Sequence, residues 1–214
     1  AIIDLGLLPV LGQEEDAVDA LSVVLIDEIY EEESATEIMD SVVAMWALSA
    51  GEDAPVYWEA HDPDLRRLYS HVCLFAGLDL EAREDWALDA GLPEERLEPC
   101  EEEAILAAES WQGTLAEMEG EGDMRFVPWA DADDAAASLA DEVVGEEVAW
   151  LNEGLALPEA LEVRVEPCGE ENAFYDPGAR AVIICTEYAR WHLDSAPQYR
   201  RCAPAATQRP VAVA

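Results

Sequence analysis

The sequence predicts an α+β protein, mainly helical, with a small sheet in its C-terminal half, and three observations predict it. From Gln13 to about Glu119 apolar residues recur at intervals of three and four, the period of a helix with one buried face. At Glu119-Gly120-Glu121-Gly122-Asp123 that texture stops. Beyond it, short runs with two-residue alternation flank a Pro/Gly turn, the pattern of strands and a hairpin.

In order along the chain, AIIDLGLLPVLG reads as the end of an amphipathic helix running into a loop. The spacing of Ala17, Leu21, Val24 and Leu25 predicts a helix from Gln13, with Glu-rich positions on its other face. A second helix is expected over Ser34 to Leu48, where Ser34 and Glu37 have the spacing of a capping box. A Gly/Pro loop at Ala50 to Pro55 precedes helices near Pro63 to Phe75, Leu80 to Ala90 and Glu101 to Met118, the last two parted by Gly91-Leu92-Pro93. After the acidic glycine segment come a short strand at Met124 to Pro128, a long acidic helix from Asp131 to Gly154 and a strand at Leu161 to Val165. Asn172 to Tyr175 and Ala181 to Cys185 flank Asp176-Pro177-Gly178 as a hairpin requires. A short helix is expected at Glu187 to Leu193, followed by a disordered tail over 196–214. The division is thus a helical part, 1–119, and a strand-helix-strand part, 123–195. Trp46, Trp86 and Trp150 occupy helical positions among apolar neighbours and are expected in the core.

Charge excludes whole classes of partner. The 214 residues carry 49 Asp and Glu against 11 basic residues, all of them Arg, for a formal charge of −38. Such a polyanion repels nucleic acid and anionic membrane, and no basic stripe offsets it. The acidic surface reads as a solvated one, halophilic-like in composition, with an acidic patch for a cationic partner as the alternative. Self-repulsion weakens as salt shortens the Debye length, so urea midpoints are expected to rise with added salt; a flat response would remove the argument. No apolar run is long enough to span a membrane. A targeting signal is not present either, and is expected upstream of Ala1.

The five cysteines, Cys73, Cys100, Cys168, Cys185 and Cys202, include no C-x-x-C pair. Two disulfides in an oxidising compartment, each worth roughly 3 kcal/mol, or buried free thiols both satisfy this pattern.

Glu15 and Asp19 stand four apart, so a helix places both carboxylates on one face. In zinc peptidases with a His-Glu-x-x-His helix, a glutamate on a following helix supplies the third ligand and a carboxylate one turn on orients a ligand histidine. Glu81 and Asp85 repeat the spacing, so by itself it also fits a solvated face. His61, just before a helix, is placed either to stabilise an oxyanion or to cap and pack; His71 reads as semi-buried structure, and His192 has no companion at metal spacing.

AIIDLGLLPVLGQEEDAVDALS resembles the stretch that follows His-Glu-x-x-His in a bacterial domain-of-unknown-function family of gluzincin-like zinc metallopeptidases. The resemblance continues through HDPDLRRLYSHVC (His61 to Cys73) and LPEERLEPC (Leu92 to Cys100), with Trp111 beyond. LNEGLALPEALEVRVEPCGEENAFYDPGARAVIICTEY (Leu151 to Tyr188) resembles the same family, in a segment that in its members precedes the metal-binding helix. The order is therefore inverted, as in a piece of a tandem protein or a circular rearrangement of one copy.

The resemblance implies Glu15 as the third zinc ligand and Asp19 as the carboxylate behind it. It implies peptide or protein as substrate, an extracellular or periplasmic location, and disulfides Cys73–Cys100 and Cys168–Cys185. The two histidine ligands and the catalytic glutamate have no match in the sequence. A zinc-bound water needs the metal to lower its pKa and a base to take its proton, so this chain alone is expected to hold no tight zinc and to hydrolyse nothing. The alternative is a non-catalytic extracellular binding or structural module that keeps the scaffold.

Overall fold

The computed structural model describes residues 1–6, 12–51 and 62–202, with side chains to residue 198. In chain order the helices and strands are α1 (Ile2–Gly6), α2 (Glu14–Ile29), α3 (Glu32–Ser49), α4 (Asp64–Leu78), α5 (Leu80–Asp89), α6 (Glu94–Leu97) and α7 (Cys100–Ala116). They continue as β1 (Arg125–Val127), α8 (Ala135–Gly154), β2 (Glu162–Glu166), β3 (Ala173–Asp176), β4 (Ala181–Cys185) and α9 (Thr186–Cys202). The protein is α+β, helical in its first half and carrying one small mixed sheet in its second.

The chain forms two compact units. One comprises Val10–Gly113 with the residues from Pro197 on; the other joins Ala1–Pro9 to Thr114–Ala196.

In the helical unit α4 is the shared partner, packed by α2, α3, α5 and α6. Its apolar positions face two ways. Leu68, Val72, Cys73 and Ala76 pack with Val43, Ala87, Leu92 and Leu97, while Phe75 packs with Val23, Ala35 and Met39. The Cys73–Cys100 disulfide ties α4 to the start of α7. At Gly77 an added Cβ would sit 2.1 Å from the Cys100 carbonyl oxygen, so a glycine lets these backbones meet. Gly77→Ala is expected to cost about 2 kcal/mol through the backbone shift it forces, read as a lowered urea midpoint. Helix α3 starts at Glu32, and its N-cap Glu31 makes no side-chain cap bond. Ser34 lies inside the helix, so the capping box expected from Ser34 and Glu37 does not form. Three acidic residues, Glu31 to Glu33, lie where the helix dipole favours negative charge, and the helix begins there instead.

In the other unit the sheet order is β1-β2-β4-β3, with β1, β2 and β4 parallel and β3 antiparallel to β4. Helix α8 connects β1 to β2, as a parallel pair requires. Asp134 caps it, its carboxylate accepting from the Ala136 and Ala137 amides. Val163 and Phe126 on one sheet face pack with Leu5 of α1 and with Val148 and Leu151 of α8. On the other face Ala181, Ile183 and Cys185 are buried, with Cys168 and Tyr188 packed against them. The Cys168–Cys185 disulfide ties the loop after β2 to the end of β4. Glu187 accepts from the Cys168 and Gly169 amides, and these bonds hold its carboxyl below the usual range.

Four further features were not read from the sequence. The glycine-rich segment at 119–123 lies along the end of α8: the Gly120 and Gly122 amides donate to the Gly154 and Asn152 carbonyls. Asn152 also pairs with Met124 as a neighbouring strand would, its Oδ1 accepting from the Met124 amide at 2.8 Å and its Nδ2 donating to the Met124 carbonyl at 2.9 Å. Trp46 and Trp86 pack against the core as expected, but Trp150 is 45% exposed. The faces of α8 are set by Ala140, Val144, Val148 and Leu151, which turn Trp150 outward. Helix α9 runs past Leu193 and through Pro197 to Cys202.

Candidate functional site: the Asp19 cleft

The sequence begins α2 at Glu14 with three consecutive acidic residues, Glu14, Glu15 and Asp16, in the first turn, where the dipole favours them. Glu15 is half-buried there, and Asp19 follows one turn later. Across from α2, the helical period of α4 sets Arg67 and His71 on one face. The two helices meet at a bidentate pair: Arg67 Nε donates to Asp19 Oδ2 and Nη2 donates to Oδ1, both at 2.7 Å. The Arg67 guanidinium lies 4.0 Å above the centre of the Trp46 ring. Burial pulls the Arg67 pKa down, but the hydrogen bonds and charge of Asp19, with Asp64 and Glu15 adding theirs, leave it above its ordinary value.

His71 is 4% exposed. Its Nδ1 lies 2.8 Å from the Arg67 carbonyl oxygen. A carbonyl only accepts, so Nδ1 carries the hydrogen and the neutral ring keeps its lone pair on Nε2. Nε2 stands 4.0 Å from Asp19 Oδ1. Burial lowers the His71 pKa, against the backbone bond and the Asp19 charge that favour protonation. The folded state binds the proton less readily than the unfolded chain, so His71 penalises folding as pH falls below the unfolded value of about 6.5 and costs nothing above it. His71→Gln is expected to flatten the loss of stability between about pH 7 and pH 5 relative to the unaltered chain, in paired urea titrations. Equal slopes would show that the ring is neutral in neither state or in both.

These groups open onto a cleft of about 130 Å³ lined by Asp16, Asp19, Arg67, Ser70, His71, Leu74 and Glu103. The Asp16 carboxyl is pushed up, first by burial and then by the Asp62 charge. Glu15 is not among the lining residues, although its charge acts on Arg67. His61 lies outside the described residues. Arg67 and His71 are thus the residues that sequence reasoning left out of the site. The signal was their four-residue spacing on an amphipathic helix, with no mark to say which carboxylate they would meet.

The fit to zinc can be tested on these donors. A catalytic zinc site takes three protein ligands and keeps one position open. Both oxygens of Asp19 are occupied by Arg67. Among the described residues no group of three His, Cys, Asp or Glu side chains is arranged to hold a metal ion. The described residues do not fit a complete zinc centre.

A family described as "Putative metallopeptidase" matches residues 1–115 and 130–210. No curated protein and no solved structure matches the chain.

Proposed function

The chain belongs to the family described as "Putative metallopeptidase", and from that premise we propose that it supplies one acidic ligand, Glu15, to a zinc centre whose histidine ligands and catalytic glutamate are not in this sequence. On its own it neither holds zinc tightly nor cleaves peptides. The observation that carries this reading is the histidine content. The sequence has three, His61, His71 and His192, and no two are spaced as a His-Glu-x-x-His helix requires. Peptide is the substrate class the family implies, and Asp19 positions the Glu15 region through Arg67 instead of touching a ligand. His61 keeps the role of an oxyanion donor in the completed centre. The inverted order of the two family segments fits a piece of a tandem protein.

Zinc titration of the chain against a competing chelator tests this. No site of submicromolar affinity is expected, and a stoichiometric one would mean that ligands have been missed. The second reading, a non-catalytic extracellular module, is favoured by the closed Asp19–Arg67 pair, which makes that carboxylate structural. A synthetic His-Glu-x-x-His helix added with zinc separates the two. Zinc uptake lost in Glu15→Gln supports the ligand reading, and no uptake supports the module.

An oxidising location, extracellular or periplasmic, is supported by the two disulfides. Among the described residues no helix is long and apolar enough to cross a membrane. Mass mapping without reductant is expected to find Cys168 linked to Cys185, and two free thiols there would overturn the location.

A further inference from the structure

Helix α8 presents an exposed apolar row that its own unit does not use. Leu139, Val143 and Trp150, at i, i+4 and i+11, are 44, 49 and 45% exposed. At 100° per residue they fall within about 40° of one another, over about 16 Å of helix. A separate face, Ala140, Val144, Val148 and Leu151, centred about 115° around the helix from that row, is the one turned to the core. Glu146 is exposed between the anchors, Glu142 and Glu153 are exposed on one flank, and α8 contains no basic residue.

We infer that this face docks a basic amphipathic helix of a partner protein. An apolar row rimmed by one sign of charge selects its occupant on two counts. Leu139, Val143 and Trp150 provide anchors at helical spacing, of the kind that an amphipathic helix in a groove reads. Glu146 sits in the middle of the row, so any partner covering the anchors strips water from that carboxylate, and only a cation opposite it offsets the loss. The complementary helix carries apolar residues to meet the anchors with Lys or Arg between them. A second copy of this face would set glutamate against glutamate in a chain already at −38, and an anionic membrane would be repelled in the same way. The inference is independent of the zinc reading, because it uses no residue near Glu15.

The test uses the full chain and a labelled Leu/Lys peptide that folds as an amphipathic helix, at physiological salt, with a shuffled peptide of identical composition as control. The amphipathic peptide is expected to bind about tenfold more tightly than the shuffled one, and Trp150→Ala and Val143→Ser are each expected to weaken it about tenfold. Glu146→Lys is expected to weaken it while leaving the urea midpoint in place. Equal binding of the two peptides would reduce the effect to polyanion attraction and overturn the inference. So would unchanged affinity in both anchor variants, a dimer in sedimentation that Trp150→Ala dissolves, or binding of anionic vesicles. Since both anchors are exposed, unchanged urea midpoints establish that the variants are folded.

Discussion

Arg83→Met is expected to destabilise the helical unit by about 3 kcal/mol, measured by urea unfolding at neutral pH. The side chain is 5% exposed and has five contacts to lose. Nε and Nη2 donate to the two Glu32 carboxylate oxygens at 3.1 and 2.5 Å, and Nη1 donates to the Phe75 carbonyl at 2.8 Å. Nη2 also stands 2.6 Å from Asp27, and the guanidinium lies 3.8 Å above the Phe75 ring. Methionine keeps much of the volume but removes the cation. The Phe75 carbonyl loses its donor, and Asp27 and Glu32 are left facing each other in a chain that already repels itself. The Glu32 side chain is 53% exposed, so solvent screens part of this loss and holds the estimate at the low end of the range for a broken buried pair. The Arg83 hydrogen bond holds the Glu32 carboxyl below its usual range, against burial. That contribution is complete above about pH 4.5, the unfolded value, and is lost as pH falls through the folded one. Arg66→Ala is the control: Arg66 pairs with Asp62 but its side chain is 66% exposed, and its loss is expected to cost under about 0.5 kcal/mol. Equal effects of the two variants would show that burial of Arg83 confers no advantage.

Replacing both Cys73 and Cys100 by alanine is expected to cost at least about 3.5 kcal/mol. The two cysteines are 27 residues apart, and loop-closure entropy for a loop of that length is about 3.5 kcal/mol. Both are fully buried, so the loss of two sulfurs from a packed site adds to the entropy term. The urea midpoint of the double variant, compared with that of Cys168→Ala/Cys185→Ala, reads the difference. The second loop spans 17 residues and is expected to be worth about 3 kcal/mol. Accessibility also separates the bonds: Cys168 is half-buried, so a mild reductant is expected to open Cys168–Cys185 first and to reach Cys73–Cys100 only through unfolding. Simultaneous loss of both would show that the helical unit opens readily.

The α+β class was legible because apolar period is a local property, and Leu21, Val24, Leu68 and Val72 all fall on the faces their spacing assigns. The hairpin was legible for the same reason, since a Pro/Gly turn between alternating runs is written within one short stretch, Asn172 to Cys185. The failures share a cause. Trp150 is apolar and helical in position, yet its exposure depends on which side of α8 meets the sheet, and its apolar neighbours occupy both faces. Asn152 pairs with Met124 across 28 residues, and no local pattern marks an amide that will stand in for a strand. The Asp19 partner was illegible likewise. The carboxylate could be placed on a helix face, but Arg67 lies 48 residues away, and with 49 acidic side chains for 11 basic ones, pairing is decided only by the tertiary fold.

Helix α1 packs its Leu5 against Met124, Val148 and Val163, and Asp4 accepts a hydrogen bond from the Tyr175 hydroxyl across 171 residues. During synthesis, then, α1 is made long before the residues that complete its core. The helical unit is almost entirely continuous, built mainly from residues 10–113, and that part can close on itself as it is made. The sheet is complete only with β4, which stands between β2 and β3, and until the residues from Met124 on are made the apolar face of α1 has no partner. Ribosome-bound chains halted before Met124 should protect the helical unit from proteolysis while leaving α1 open to cleavage.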